Sequence, residues 1–239
     1  MIVYPAIDIR GGKAVRLIEG DFSRETVFDA DPADAARRWE SAGAKWIHIV
    51  DLDGARTGIG ASRDAIARIK ATVSCKLQVG GGIRSMEDID ALLGSGIDRV
   101  ILGSIAVTSP ETVVDAVRKH GDRIAVGLDA REGKLATSGW ETQTKTDAFE
   151  TASQMGDQGV RHIIFTDIRR DGTLAGPNVA ALTHIVQSTS AGVIASGGIG
   201  STDDVLGLRQ TGVEGVIIGR ALYDGRIDLA DLVGRLTNA

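Results

Sequence analysis

Short apolar runs rich in β-branched residues alternate along the chain with longer stretches whose apolar positions recur every three or four residues. The first pattern predicts strands and the second helices, because side chains alternate across a strand but return to one face of a helix at each turn. Strands are predicted at Ile2–Asp8, Trp46–Asp51, Lys76–Val79, Arg99–Leu102, Arg123–Asp129, His162–Thr166, Gly192–Ala195 and Gly215–Ile218. Helices are predicted at Pro32–Ala42, Ser62–Ala71, Met86–Gly94, Pro110–His120, Asp147–Gln158, Asn178–Gln187, Thr202–Thr211 and Leu229–Leu236. Several open on Ser, Asp, Asn or Thr, whose side chains cap free N–H groups. Strands that alternate with helices pair in parallel through right-handed crossovers, so eight such units either close into a barrel or wind into an open sheet.

An internal repeat favours closure. Val79-Gly80-Gly81-Gly82-Ile83-Arg84 is echoed by Ala195-Ser196-Gly197-Gly198-Ile199-Gly200, a spacing of 116. Asp51 and Asp167, Gly103 and Gly219, and Gly96 and Gly212 keep that spacing. A fixed period of this kind marks duplicated structure. The expected fold is a (β/α)8 TIM barrel built from two similar (β/α)4 halves that face each other across the axis. With no linker and no low-complexity tract, residues 1–239 are expected to form one domain.

Composition adds little but excludes much. The 239 residues suit one such barrel, and the 43% hydrophobic and 25% charged fractions are those of an ordinary globular protein. A formal net charge of −5 gives no reason to expect nucleic acid or an anionic membrane as partner. The one cysteine, Cys75, rules out an internal disulfide and reads as a small core or near-surface residue. Met1–Arg10 shows no charged-then-apolar leader, and charges through Met1–Gly20 interrupt any membrane span. A cytoplasmic protein is expected.

In such a barrel, chemistry sits in the loops at the C-terminal ends of the strands. Gly80-Gly81-Gly82 and Ser196-Gly197-Gly198 fall there, and one unit later come Gly103-Ser104 and Gly219-Arg220. Glycines let backbone N–H groups approach an anion, and a helix N-terminus favours negative charge. Tight βα turns alone would explain one Gly-Gly pair. Two matched pairs, each followed by a second glycine at the same interval, point instead to two phosphate cradles. The ligand is therefore a small molecule with a phosphate at each end.

Between the cradles, Asp8 and Asp129 end the first and fifth strands of the barrel at matched positions, where one carboxylate can act as base and the other as acid. Thr166 and Asp171 follow the sixth strand, a hydroxyl to hold a substrate oxygen and a carboxylate to orient it. Arg16, just past Asp8, suits a phosphate or carboxamide, or else is a surface charge. Trp140 lies in a polar segment where a stacking role on a flat heterocycle is favoured over packing, whereas Trp39 and Trp46 read as core. Two segments, Glu19–Val27 and Ala136–Thr146, read as loops that can close over the ligand. His48, His120, His162 and His184 share no ligand spacing, so no metal is expected. With neither a G-x-G-x-x-G nor a Walker loop, no organic cofactor is expected.

These residues resemble one family closely. Pro5-Ala6-Ile7-Asp8, Ala14-Val15-Arg16-Leu17, His48–Ala55, Val79–Arg84, Thr166–Thr173, Ser196–Gly200 and Gly219-Arg220-Ala221-Leu222 together are similar to the aldose–ketose isomerases of histidine biosynthesis, which act on phosphoribosylformimino-5-aminoimidazole carboxamide ribonucleotide. The resemblance runs nearly end to end. It implies an Amadori rearrangement in which Asp129 protonates the ribose ring oxygen, Asp8 removes the proton from sugar C2, and Thr166 bonds the opening sugar; it also implies a monomer. The cyclase subunit of imidazole glycerol phosphate synthase matches less well, having lysine where Arg16 stands and cysteine where Ala6 stands. A bifunctional branch also converts phosphoribosylanthranilate. Ser138–Thr142 fits either isomerase, while Gly20-Asp21-Phe22-Ser23 and the Gly80-Gly81-Gly82 triplet lean toward the single-function enzyme. A barrel that only binds a sugar phosphate remains the alternative from another class, against which both aspartates speak.

Overall fold

The computed structural model describes residues 1–58 and 60–237. Its strands are β1 (Ile2–Arg10), β2 (Lys13–Ile18), β3 (Asp21–Asp29), β4 (Trp46–Asp51), β5 (Lys76–Gly80), β6 (Arg99–Leu102), β7 (Ile124–Arg131), β8 (Lys134–Thr137), β9 (Thr142–Asp147), β10 (His162–Asp167), β11 (Gly192–Ser196) and β12 (Gly215–Ile218). The helices are α1 (Pro32–Ser41), α2 (Leu52–Thr57), α3 (Arg63–Thr72), α4 (Met86–Gly94), α5 (Ile105–Thr108), α6 (Pro110–His120), α7 (Ala148–Asp157), α8 (Val179–Ser188), α9 (Thr202–Leu208), α10 (Arg220–Tyr223) and α11 (Leu229–Thr237). Parallel pairing runs β1-β4-β5-β6-β7-β10-β11-β12 and returns from β12 to β1, closing an eight-stranded (β/α)8 barrel.

Period-two alternation builds the barrel's two apolar layers. On β1, Val3, Ile7 and Ile9 pack outward under the helices, while Tyr4 and Ala6 point inward. Tyr4, Ala6, Ile101, Ala125, Ile164, Ile194 and Ile217 fill the barrel's centre, with Trp46 packed against them. Trp39 is a core residue of the outer layer, as expected, but Trp46 sits half-buried at the barrel's floor, beneath cations. The helices are fixed at their starts by side chains: Asp31, Ser85, Asp147, Asn178 and Ser201 accept from first-turn N–H groups of α1, α4, α7, α8 and α9.

Two segments correct the sequence reading. Glu19–Val27 and Ala136–Thr146, expected as loops, lie mostly within β-hairpins. β1 continues beyond Asp8 and turns into the antiparallel β2, which pairs with β3; β7 turns into β8, which pairs with β9. The inner strands β2 and β8 are largely buried, whereas the outer strands β3 and β9 have little to bury against. β3 is mostly exposed and β9 is polar throughout, so neither carries the alternation that a half-buried strand shows. Among the described residues no helix is long and apolar enough to cross a membrane.

Candidate active site

The inward-facing residues that end the barrel strands form one ring: Asp8, Val50, Gly80, Gly103, Asp129, Thr166, Ser196 and Gly219. Register fixes the ring, since Asp8 pairs with Val50, Val50 with Gly80, and Thr166 with both Asp129 and Ser196. A single cavity opens on it. Every predicted site residue lines this cavity: Asp8, Arg16, Gly80, Gly81, Gly82, Gly103, Ser104, Asp129, Trp140, Thr166, Asp171, Ser196, Gly197, Gly198, Gly219 and Arg220.

The glycine cradles are alike in construction. Gly81 and Gly197 have φ of 102° and 93°, a region that disfavours side chains. Their Cα atoms press on the carbonyls of Asp51 and Asp167 respectively, where a Cβ would collide. The 116-residue repeat thus records a packing unit as well as an anion site. Asp51 and Asp167 brace their loops: Asp51 accepts from Gly54 N–H and from Ser62 N–H and hydroxyl, each at 2.9 Å, and Asp167 accepts from Asn178 at 2.7 Å and Arg169 N–H at 3.1 Å. Beside the cradles, α5 and α10 begin just after Gly103-Ser104 and at Arg220. The Arg220 side chain is anchored at this corner by Asp224 and the Gly172 carbonyl, both at 3.0 Å, which leaves its Nη2 and the backbone N–H groups as donors toward the cavity.

The two aspartates have different company. Asp8 is bound by the Arg16 guanidinium at 2.7 Å, and burial pushes its carboxyl up while that cation pulls it down. Asp129 faces the Thr166 hydroxyl and the Trp140 indole; burial outweighs their downward pull and pushes its carboxyl up too. Asp171 is pushed up to about 6, first by burial, with Arg16 opposing and the nearby Asp8 and Asp129 adding to the rise. Arg16 is therefore not a surface charge. It comes up from β2, pairs with Asp8 and packs against Gly219 in the second cradle, and its buried Nε has no partner among the described residues.

Trp140 reaches the cavity with its ring packed against a glycine of the other hairpin. It sits at the β8–β9 turn with φ of 71°, lies against Gly20 at the β2–β3 turn, and faces Asp129. The hairpins are tied down further: Ser138 N–H donates to Ser104 Oγ at 2.9 Å, and Glu19 N–H to the Asp171 carbonyl at 3.0 Å. Sequence reasoning missed other lining residues, among them Phe22, Arg84 and His48. For His48 a signal existed: it stands two residues before Val50 on β4, so it shares the inward face. Phe22 carried none, lying on an exposed strand where the Arg10 and Arg56 guanidiniums come 4.9 and 5.3 Å from its ring centre.

The description "histidine biosynthesis protein" belongs to the family whose sequence model matches residues 2–228. Three relatives are named 1-(5-phosphoribosyl)-5-((5-phosphoribosylamino)methylideneamino) imidazole-4-carboxamide isomerase. That of Ruminiclostridium cellulolyticum is 46% identical, over 98% of this chain and 99% of its own. That of Chloroflexus aggregans is 48% identical, over 98% and 97%. That of Dinoroseobacter shibae is 48% identical, over 100% of both.

Proposed function

This chain belongs to the histidine biosynthesis protein family, and from that premise we propose that it is the aldose–ketose isomerase its relatives are named for. The substrate is the bisphosphorylated aminoaldose of an imidazole carboxamide, and the reaction is its Amadori rearrangement to the aminoketose. One phosphate rests on Gly81-Gly82 and Gly103-Ser104, the other on Gly197-Gly198 and Gly219-Arg220, holding the sugar across the ring between them. The chain works as one domain and as a monomer, with no cofactor.

The observation that carries this reading is the unequal company of the two aspartates. Asp8 faces a guanidinium that favours the carboxylate, which suits a base. Asp129 is buried beside neutral groups, and no cation among the described residues is paired to it, which suits a carboxyl that holds a proton until needed. Asp129 gives its proton to the furanose ring oxygen as the C1–O bond breaks, leaving a Schiff base between C1 and the amine. Asp8 takes the proton from C2, and the electron pair moves through C2–C1 to the nitrogen, giving an enolamine. Proton return to C1 and loss of the C2 hydroxyl proton complete the ketose. Thr166 positions the Asp129 carboxyl, and Arg16 places Asp8 beside the second cradle.

A paired turnover assay tests this. The purified protein is expected to convert the aminoaldose substrate, and Asp8→Asn and Asp129→Asn are each expected to lose at least about a thousandfold in kcat. Comparable turnover of phosphoribosylanthranilate would place it in the bifunctional branch, and turnover of neither would reduce it to a phosphate-binding barrel.

A further inference from the structure

Below the ring of aspartates, three polar side chains cross the otherwise apolar barrel. Arg99, Gln78 and His48 are 5%, 0% and 8% exposed. The Arg99 guanidinium sits 4.4 Å from the Trp46 ring centre, and its Nη1 donates to Gln78 Oε1 at 3.2 Å. The Gln78 amide nitrogen lies 3.0 Å from His48 Nδ1. His48 lines the floor of the cavity, on the strand next to Asp8 and in register with Ala6, two residues deeper.

The chemistry of these groups fixes where the protons are. Arginine only donates, so the amide atom facing it is the oxygen, and the atom facing His48 is the NH2 group. An NH2 group only donates, so His48 Nδ1 is the bare, accepting nitrogen. The ring proton then sits on Nε2, for which no partner exists among the described residues. Burial, with Arg16 nearby, holds the imidazole neutral by lowering its pKa to about 3.

We infer that His48 is a substrate-binding residue whose Nε2–H donates to the sugar oxygen nearest the cavity floor, beneath Asp8, and that Gln78 and Arg99 are positioning residues that hold it in this tautomer. The inference rests on the isomerase reading for the identity of that oxygen. A neutral imidazole N–H is too weak an acid to surrender its proton, so it can hold a sugar oxygen without joining the proton traffic of Asp8 and Asp129. The relay occupies one half of the barrel only. At the 116-residue spacing its counterparts are Ile164, Ile194 and Gly215, which offer no side-chain donor. A structural need common to both halves would have been met by polar residues in both.

The decisive variant is Gln78→Glu. It keeps the size and the Arg99 contact, but a carboxylate accepts from His48 Nδ1–H and so reverses the tautomer, turning Nε2 into an acceptor. The measurement pairs ring 15N chemical shifts of His48 with steady-state kinetics on the aminoaldose substrate. Wild type is expected to show a protonated Nε2 and bare Nδ1 between pH 5 and 8, with the Nε2–H resonance moving when the aminoketose bisphosphate binds. Gln78→Glu is expected to protonate Nδ1, retain its Tm, and lose about 30-fold in kcat/KM. His48→Gln, which retains an N–H donor, is expected to keep more activity than His48→Leu. A protonated Nδ1 in wild type would overturn the relay, and a reversed tautomer with undiminished kcat/KM would overturn the contact. Absence of wild-type turnover would instead sink the isomerase reading, and the 15N result would stand apart from it.

Discussion

Asp171 is where the site's chemistry should be visible as a stability cost. Its carboxyl is raised from near 3.8 to about 6 by burial and by two neighbouring carboxylates, against the pull of Arg16. In the unfolded chain it titrates near 3.9. Between those values the folded protein holds a proton that the unfolded chain has lost, so the free energy of unfolding falls as pH rises from about 4 to about 6. Below that window the cost is absent; above it the cost is complete. Two pH units correspond to a ceiling of about 3 kcal/mol. Because the side chain is only half-buried and faces the cavity, a value of about 1–3 kcal/mol is expected. Asp171→Asn cannot ionise and escapes this cost. Urea unfolding of both proteins at pH 4.0 and pH 7.5 isolates the effect, because pH-independent consequences of the substitution cancel in the difference. The variant is expected to gain about 1–3 kcal/mol relative to wild type on going from the lower pH to the higher, equivalent to several degrees in Tm, while losing turnover. An equal difference at both pH values would refute the reasoning, as it would mean that Asp171 titrates alike in the folded and unfolded states.

The cradles offer a contrast between two glycines. A Cβ at Gly103 meets nothing within 4 Å, so Gly103→Ala is expected to keep its Tm and raise KM about tenfold by intruding on the phosphate; Gly198 has φ of 87° and abuts the Gly176 carbonyl, so Gly198→Ala should lose about 2 kcal/mol or more in denaturant titration. Trp140→Phe keeps an aromatic ring but removes the indole N–H that faces Asp129, and kcat should fall about 10–100-fold with little change in fold; Gly20→Ala, which drives a methyl into the Trp140 ring, should lower kcat as well without touching a titratable group. Burial, with Glu40 nearby, pushes the Cys75 thiol up to about 11, so its alkylation by iodoacetamide at pH 8 is expected to run about a hundredfold slower than that of a free thiol.

What could be read from the sequence was whatever repeated or alternated. The barrel strands bury both faces and carry dense β-branched runs, and the glycine cradles recur at one spacing, so their places in the cavity followed from counting. The hairpins could not be read that way. Asp21–Asp29 and Thr142–Asp147 pair only along the edges of strands that project from the barrel, and without a buried face nothing imposes a period on them. The same gap hid the role of Trp140. Its attachments are to Gly20 and to Asp129, residues distant in sequence and brought together only when both hairpins fold over the mouth. Arg16 was ambiguous for a related reason: one lysine or arginine near a strand end reads alike whether it points to solvent or to a carboxylate.

The unequal conservation of form between the halves follows from the ligand that the site is argued to hold. A molecule with a phosphate at each end presents the same chemistry twice, and the barrel answers with the same device twice, Gly81 braced on Asp51 and Gly197 braced on Asp167. Its middle is not symmetric, and there the halves part. Val50 stands where the other half has Thr166, His48 where it has Ile164, and Gln78 where it has Ile194. Thr166, at the level of Asp129, has no polar counterpart in the first half, and His48 with Gln78, one layer beneath Asp8, has none in the second. Exchanging these residues between the halves should break function without breaking the fold, since they are strand residues of the barrel's inner face, with His48, Ile164 and Thr166 buried and Val50 half-buried. A Val50→Thr, Thr166→Val double variant would leave both cradles and both aspartates in place. Bisphosphate affinity should then survive within a few fold while kcat falls by about a hundredfold or more. Retained turnover would mean that the site does not distinguish the two ends of its ligand, and that duplication alone accounts for the chemistry.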